Sequence, residues 1–89
     1  MKWRVELSKI AARFVDENSL SEEIVLNYAA AAIRKFGGEP MNIDVKKLKG
    51  NWKGFHRIRV GKIRIIVEFN FESKVALIER IDFRGGVYK

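Results

Sequence analysis

The segment FHRIRVGKIRIIVEF, residues 55–69, contains two runs of β-branched and aromatic side chains separated by Gly61-Lys62. Runs of this composition predict strands, and a two-residue connection that contains glycine predicts a tight hairpin turn between them. We therefore expect antiparallel strands over 55–60 and 63–69. Asn70 to Ser73 should form the next turn, and residues 75–83 should form a further strand.

Alternation along these strands sorts the charged side chains onto one face of the predicted sheet, because successive side chains point to opposite faces. Arg57 and Arg59 share a face of the first strand, and Arg64 points away from the apolar face of the second. We expect all three on the face that the helices leave open. The apolar face of the second strand comprises Ile63, Ile65, Val67 and Phe69.

The residues before the hairpin begin with a short amphipathic strand and a helix. Apolar and charged side chains alternate over residues 2–7, which predicts a strand with one buried face, carrying Trp3, Val5 and Leu7. Ser8 can then cap a helix that ends near Asn18. The inner stripe of that helix is predicted to contain Ile10, Phe14 and Val15.

A second helix is predicted from Ser19, whose spacing from Glu22 fits a capping box, to the stop signal Gly37-Gly38. Its buried face should carry Ile24, Tyr28, Ala32 and Phe36, flanked by Val25 and Ala29. Residues 39–54 are rich in lysine and glycine and are predicted to form a loop.

The predicted order is β-α-α-β-β-β within one domain, residues 1–89. Early helices and late strands indicate an α+β fold, with two helices packed on one face of a mostly antiparallel twisted sheet. The first strand can join the same sheet, and the intervening helices allow a parallel pairing.

Charge is distributed unevenly along the chain. The net charge is +7, of which residues 45–89 contribute +8 and residues 1–44 contribute −1. Such a field favours a polyanion: a nucleic acid, an acidic lipid surface or an acidic protein segment. Cysteine is absent, which excludes disulfides, a zinc finger and a thiol nucleophile. The sequence shows no membrane span and no signal peptide, so a cytoplasmic location is expected.

The arginine pattern suits a nucleic-acid backbone. Residues two apart on a strand are about 6.5–7 Å apart, near the spacing of consecutive phosphates, and a guanidinium binds phosphate with a rigid fork. Arg84 and Tyr88 in the tail add a cation and a ring that could stack on a base or exchange a proton. Tyr88 could equally pack on the core. Further candidate RNA contacts are Lys46, Lys47, Lys49, Lys53, Lys62 and Lys89.

His56 is the single histidine of the chain, and alternation turns it away from Arg57 and Arg59. We therefore favour a structural role for it over acid–base catalysis. No carboxylate pair, metal-ligand cluster or glycine-rich phosphate loop is evident, so neither a cofactor nor a metal is implied.

Two blocks of the sequence resemble the RelE/ParE toxin superfamily. The first is Leu48-Lys49-Gly50 followed by FHRIRVGKIRIIVE, residues 55–68, and the second is the ending RGGVY, residues 84–88. The resemblance implies a RelE-like, microbial-ribonuclease-like fold. It also implies a catalytic set made of Arg57, Arg59, Arg64, Arg84 and Tyr88. The sequence departs from the pattern at Ile63 and Val67, where tyrosine is common in the family.

The function implied by this resemblance is that of a toxin paired with an antitoxin. RelE-like members cut messenger RNA, typically on the ribosome, and so inhibit translation. The implied partners are a RelB-like acidic or amphipathic antitoxin, messenger RNA and the ribosome, with a higher-order toxin–antitoxin complex on operator DNA as a further possibility and no membrane. Three alternatives stay open: a ParE-like DNA gyrase inhibitor without catalysis, a non-catalytic RNA-binding module, and a decayed toxin that only binds an antitoxin.

Overall fold

A computed structural model describes residues 2–83 and contains two helices on one face of a five-stranded sheet. The elements are β1 (Arg4–Leu7), α1 (Lys9–Glu17), α2 (Glu22–Phe36), β2 (Asp44–Lys47), a short 3₁₀ turn (Gly50–Trp52), β3 (Phe55–Val60), β4 (Ile63–Asn70) and β5 (Val75–Phe83). The sheet order is β1-β5-β4-β3-β2. The pairing of β1 with β5 is parallel and the other pairings are antiparallel. The α+β class predicted from the sequence is confirmed.

The hairpin that joins β3 and β4 follows the prediction, with Val60 opposite Ile63 across the turn. Gly61 has a φ of +56°, a conformation that a two-residue hairpin turn needs and that glycine adopts without steric cost. The predicted bounds of β3 and β5 are confirmed, and β4 extends one residue further, to Asn70.

The prediction of a loop over residues 39–54 is wrong in part, because this region contains β2 and the 3₁₀ turn. The β2 sequence, DVKK, has one apolar side chain, Val45, so its alternation is too short to read. It becomes a strand because β3 supplies hydrogen-bonding partners at the edge of the sheet.

The first helix begins as predicted at Ser8, whose Oγ accepts a hydrogen bond from the Ala11 backbone N–H at 3.0 Å. The same hydroxyl donates to the Glu79 carbonyl of β5 at 2.6 Å. Ala11 and Val15 are buried, but Ile10 is 55% exposed, so its predicted inner position is wrong. The small Ala11 side chain faces the sheet and shifts the buried stripe by one residue.

The second helix is capped by Ser21 rather than by the predicted Ser19. The Ser21 hydroxyl accepts from the Ile24 N–H at 3.3 Å, whereas Ser19 adopts a left-handed φ of +54°. The buried stripe consists of Val25, Ala29, Ala32 and Ile33. Ile24 is 50% exposed and Phe36 is 37% exposed, so the predicted face is wrong at these two positions.

A bulge in β5 adjusts both faces of the sheet. Ile66 pairs with Arg80 and Val67 with Ile78, which leaves Glu79 as the extra residue. Ile78 and Ile81 are three residues apart, a spacing that would place them on opposite faces of a regular strand. With the bulge, both join the core beneath the helices. Neither helix within residues 2–83 is long and apolar enough to cross a membrane.

Candidate nucleic-acid interface

The face of the sheet that the helices leave open carries two neighbouring rows of cross-strand residues on β2 to β5. We call this surface the arginine face. The Arg59 row consists of Asp44, Arg59, Arg64 and Asp82, and the Arg57 row consists of Lys46, Arg57, Ile66 and Arg80. Arg59 lies directly opposite Arg64, so their Cα atoms are about 5 Å apart. The predicted convergence of Arg57, Arg59 and Arg64 on one face is therefore observed.

Arg64 is held by a buried ion pair. Its Nε donates to Asp82 Oδ1 at 3.1 Å, and the two side chains are 8% and 5% exposed. A buried pair of this kind fixes the direction of the guanidinium and neutralises much of its charge locally. Arg64 thus occupies a defined position in the Arg59 row and is less available to a ligand than its neighbours.

Arg57 and Arg59 are less fully paired. Arg57 Nη2 donates to Asp44 Oδ1 at 3.3 Å, and that carboxylate is half exposed. Arg59 forms no ion pair with any other residue among those described, 2–83. The Nε atoms of Arg57 and Arg59 are buried and find no hydrogen-bond acceptor in the same range. A buried N–H donor without an acceptor costs free energy, and the oxygen of a bound anion would satisfy it.

The floor of the arginine face is apolar. Ile66 is 1% exposed although it lies outside the core beneath the helices, and it stands between Arg57 and Arg80 in its row. An apolar floor lowers the local dielectric constant, so charges above it are screened less than charges in open water.

An aromatic pair borders this floor. Trp52 of the 3₁₀ turn packs edge-on against Phe55 with 5.3 Å between ring centroids. The Arg80 guanidinium carbon lies 5.8 Å from the centre of the Trp52 ring, within the range of a cation–π contact.

The predicted lysine contacts divide between the two faces. Lys46 lies opposite Arg57 on the arginine face, and Lys62 lies in the turn that follows Arg59. Lys49 and Lys53 flank the 3₁₀ turn. Lys47 lies opposite His56 on the helix side and does not join the cluster. Lys89, Arg84 and Tyr88 lie outside the described residues.

His56 lies on the helix side, as alternation predicts, with its ring 5.2 Å from Phe36 and 5.3 Å from Phe69. Burial, and secondarily the positive charge of Lys47, lowers the pKa of His56 below its ordinary value of 6.5. A neutral imidazole packed among aromatic rings cannot reach an RNA phosphate on the opposite face.

Three charged residues of the arginine face, Asp44, Asp82 and Arg80, lay outside the sequence-based set, as did Ile66 on its floor and Trp52 at its border. The two aspartates acquire their role through the register of β2 and β5, which local sequence does not specify. Arg80 and Asp82 alternate with Ile81, a signal that could have placed them beside Arg64. Within residues 2–83, no group of three His, Cys, Asp or Glu side chains could hold a metal ion.

Two helices packed on one face of an open five-stranded sheet give this chain the fold of the RelE-like toxins of type II toxin–antitoxin systems. Solved structures of such toxins share this fold, which confirms the resemblance seen in the sequence. YafQ from E. coli is similar over 99% of this chain and 100% of YafQ, with a TM-score of 0.69 and 13% identity.

Two toxin–antitoxin complexes are also similar. The archaeal RelE–RelB complex from Pyrococcus horikoshii matches with 26% identity and a TM-score of 0.59, over 98% of this chain and 100% of the other. The RelBE2 complex from Mycobacterium tuberculosis matches with 24% identity and a TM-score of 0.60, over 92% and 91% of the two chains. No protein-family model matches the sequence, and no curated protein matches it.

Proposed function

We propose that this protein is the toxin of a toxin–antitoxin pair and acts as an endoribonuclease that cleaves messenger RNA on the ribosome. The observation that carries the proposal is the arginine face, where Arg57, Arg59 and Arg64 share one surface above the buried Ile66. The fold shared with the toxins of RelE–RelB and RelBE2 supports the toxin role.

The proposed chemistry needs little from the protein beyond positioning and charge, because RNA carries its own nucleophile. The 2′-oxygen attacks the adjacent phosphorus and loses its proton, while the bond to the 5′-oxygen breaks and that oxygen gains a proton. The products are a 2′,3′-cyclic phosphate and a free 5′-hydroxyl. Arg59 and Arg57 donate to the phosphate oxygens as negative charge develops on them, and the Asp82 pair holds Arg64 in place beside them.

The remaining catalytic groups of the proposal are Arg84, as a further phosphate ligand, and Tyr88, as an acid–base or stacking group. The ribosome would hold the RNA bent and in register for in-line attack. This division of labour suits the described residues, where no histidine lies at the arginines and the two carboxylates there, Asp44 and Asp82, are held in ion pairs with Arg57 and Arg64.

The proposed protein partner is a RelB-like antitoxin with acidic side chains that complement the arginine face. An acidic segment that is disordered alone can order itself on such a surface. We expect a short reading frame for an acidic protein beside this one. Coexpression of that protein should restore growth, and the two chains should copurify.

The test of the catalytic proposal uses Arg59, because no carboxylate among residues 2–83 depends on it and its loss should leave the fold intact. On induced expression, Arg59→Ala should relieve growth arrest and reduce messenger RNA cleavage, read by primer extension, about a hundredfold. Arg13→Ala, on the exposed side of α1, is the matched control and should cleave like the wild type. Unchanged melting temperatures should accompany both.

Primer extension also separates the alternatives. Growth arrest with intact transcripts and altered plasmid supercoiling would replace the nuclease with a gyrase inhibitor of the ParE kind. RNA binding without arrest or cleavage would leave a binding module. Full cleavage by Arg59→Ala would remove the arginine face from the mechanism.

A further inference from the structure

Trp52 is held over the arginine face by its own short turn. Gly50 and Gly54, at φ +66° and +94°, bend the chain on either side of it. The indole is half-buried and contacts Phe55 edge-on, so an apolar support lies on one side and open surface remains. The exposed part of the ring is the surface on which a flat ligand could stack.

Arg80 of β5 contacts the same tryptophan from the other side of β4. Its guanidinium lies 5.8 Å from the centre of the Trp52 ring, and the side chain is exposed. Within residues 2–83, Arg80 has neither an ion pair nor a hydrogen bond. The contact with Trp52 therefore orders a guanidinium plane whose N–H groups remain free for a ligand.

We propose that Trp52 and Arg80 form a stacking platform for one nucleobase of single-stranded RNA, next to the phosphate held by the Arg59 row. The inference rests on the proposed function and gives it a base-binding subsite. Indole rings and guanidinium planes both stack on bases, and such contacts dominate recognition of single strands on open sheets. Arg57 and Lys46, in the same row as Arg80, bind the backbone beside the platform.

A nucleobase fits the site better than an acidic peptide does. A peptide carboxylate would satisfy Arg80 but would leave the indole uncovered, whereas a base covers the ring and accepts hydrogen bonds at its edge. Purines offer the larger stacking surface, so purines should bind more tightly than pyrimidines, and an abasic strand should bind least tightly.

The experiment compares two fluorescent single strands of about eight nucleotides. Both contain 2′-deoxyribose, which removes the nucleophile and prevents cleavage. One carries adenine and the other is abasic, with identical phosphates. The wild type should bind the adenine strand about fivefold or more tightly than the abasic strand. Trp52→Ala should reduce that ratio to about one while leaving abasic binding unchanged, and Trp52→Tyr should retain most of it.

Arg57→Ala is the matched control, because it removes a phosphate contact and should weaken the binding of both strands by the same factor. A second readout uses Trp3→Phe, which leaves Trp52 as the only tryptophan. In that background the adenine strand should quench the indole fluorescence, and the abasic strand should not. This measurement needs no change at Trp52, so it remains decisive even where Trp52→Ala loses stability.

The results that would contradict the platform can be told apart from those that would contradict the proposed function. An unchanged adenine-to-abasic ratio in folded Trp52→Ala, or equal quenching by both strands, overturns the platform and leaves the phosphate site standing. A wild type that binds neither strand overturns the RNA role together with the platform. Quenching by a polyglutamate peptide and not by the adenine strand replaces the base with a protein partner.

Discussion

Arg64 and Asp82 should behave as a pair whose halves cannot be removed singly. Arg64→Ala leaves the buried Asp82 carboxylate without its partner, and we expect the free energy of unfolding to fall by about 3 kcal/mol or more. The double variant Arg64→Met/Asp82→Leu, which replaces both charges with apolar side chains, should recover most of that loss. Urea denaturation of the wild type, Arg64→Ala and the double variant measures these free energies of unfolding.

The Arg64–Asp82 pair also affects the interpretation of toxicity assays on Arg64 variants. Loss of growth arrest in Arg64→Ala alone reports on folding as much as on RNA cleavage, so Arg59→Ala is the cleaner probe. Equal stability of Arg64→Ala and the wild type would show that Asp82 is satisfied without Arg64, and Arg64 could then serve as a direct phosphate ligand.

His56 should make the protein less stable as the pH falls. Because burial and Lys47 lower its pKa below 6.5, the unfolded chain takes up a proton more readily than the folded chain. Its contribution to stability is therefore full above pH 6.5, falls as the pH drops through the folded-state pKa, and is absent below it.

The comparison with His56→Phe isolates this effect, since phenylalanine keeps the ring contacts with Phe36 and Phe69. Between about pH 7.5 and about pH 5, the wild type should lose more unfolding free energy than the variant. Parallel stability curves would contradict the shifted pKa. His56 is the only histidine, so its NMR titration gives an independent reading.

The three serines at the helix starts should differ in what they contribute. Ser8→Ala removes both the cap of α1 and the hydrogen bond to the Glu79 carbonyl, and should cost about 2 kcal/mol. Ser21→Ala removes one cap and should cost about 1 kcal/mol. Ser19→Ala should stay within about 0.5 kcal/mol, as an exposed substitution outside any cap. Thermal unfolding ranks them, and a larger loss at Ser19 than at Ser21 would contradict the observed cap.

The start of α2 and the strands show which elements can be predicted from the sequence and which cannot. The strands β3, β4 and β5 were predictable because alternating apolar residues and turn signals are local properties. Both Ser19 and Ser21 have the chemistry of a cap, and the choice between them depends on how the chain turns at Ser19. The strand β2 exists through its pairing with β3, which is likewise a tertiary property.

The arginine face likewise contains residues that local sequence places correctly and residues that depend on tertiary pairing. Alternation placed Arg57, Arg59 and Arg64 together, because period two is fixed by strand geometry. Which carboxylates join them depends on register, so Asp44 and Asp82 could not be assigned from local patterns. Their presence alters the site, because Arg64 is held in a buried pair with Asp82 and Arg57 in a partly exposed pair with Asp44 before any ligand arrives.

For the molecule as a whole, the two rows of the arginine face together carry a formal charge of +3, which is divided unequally between them. The Arg59 row combines two arginines with two aspartates and has no net charge, whereas the Arg57 row combines two arginines with one lysine and carries +3. The chain's net charge of +7 therefore overstates the field at the proposed cleavage point. In the proposed mechanism both rows attract the RNA, and Arg57 and Arg59, one from each row, contact the reacting phosphate.

The cations of the arginine face predict the salt dependence of binding to a 2′-deoxy single strand. Each phosphate neutralised contributes about 0.7 to the slope of log K against log salt, so three to four contacts predict a slope between about −2 and about −3. Lys46→Ala and Arg57→Ala should each reduce that slope by about 0.7, and Arg13→Ala on α1 should leave it unchanged. Asp82→Asn removes a negative charge from the Arg59 row and should strengthen binding at low salt, provided the protein remains folded. A slope near zero, or one that changes equally with Arg13→Ala, would mean that the strand binds elsewhere than on the arginine face.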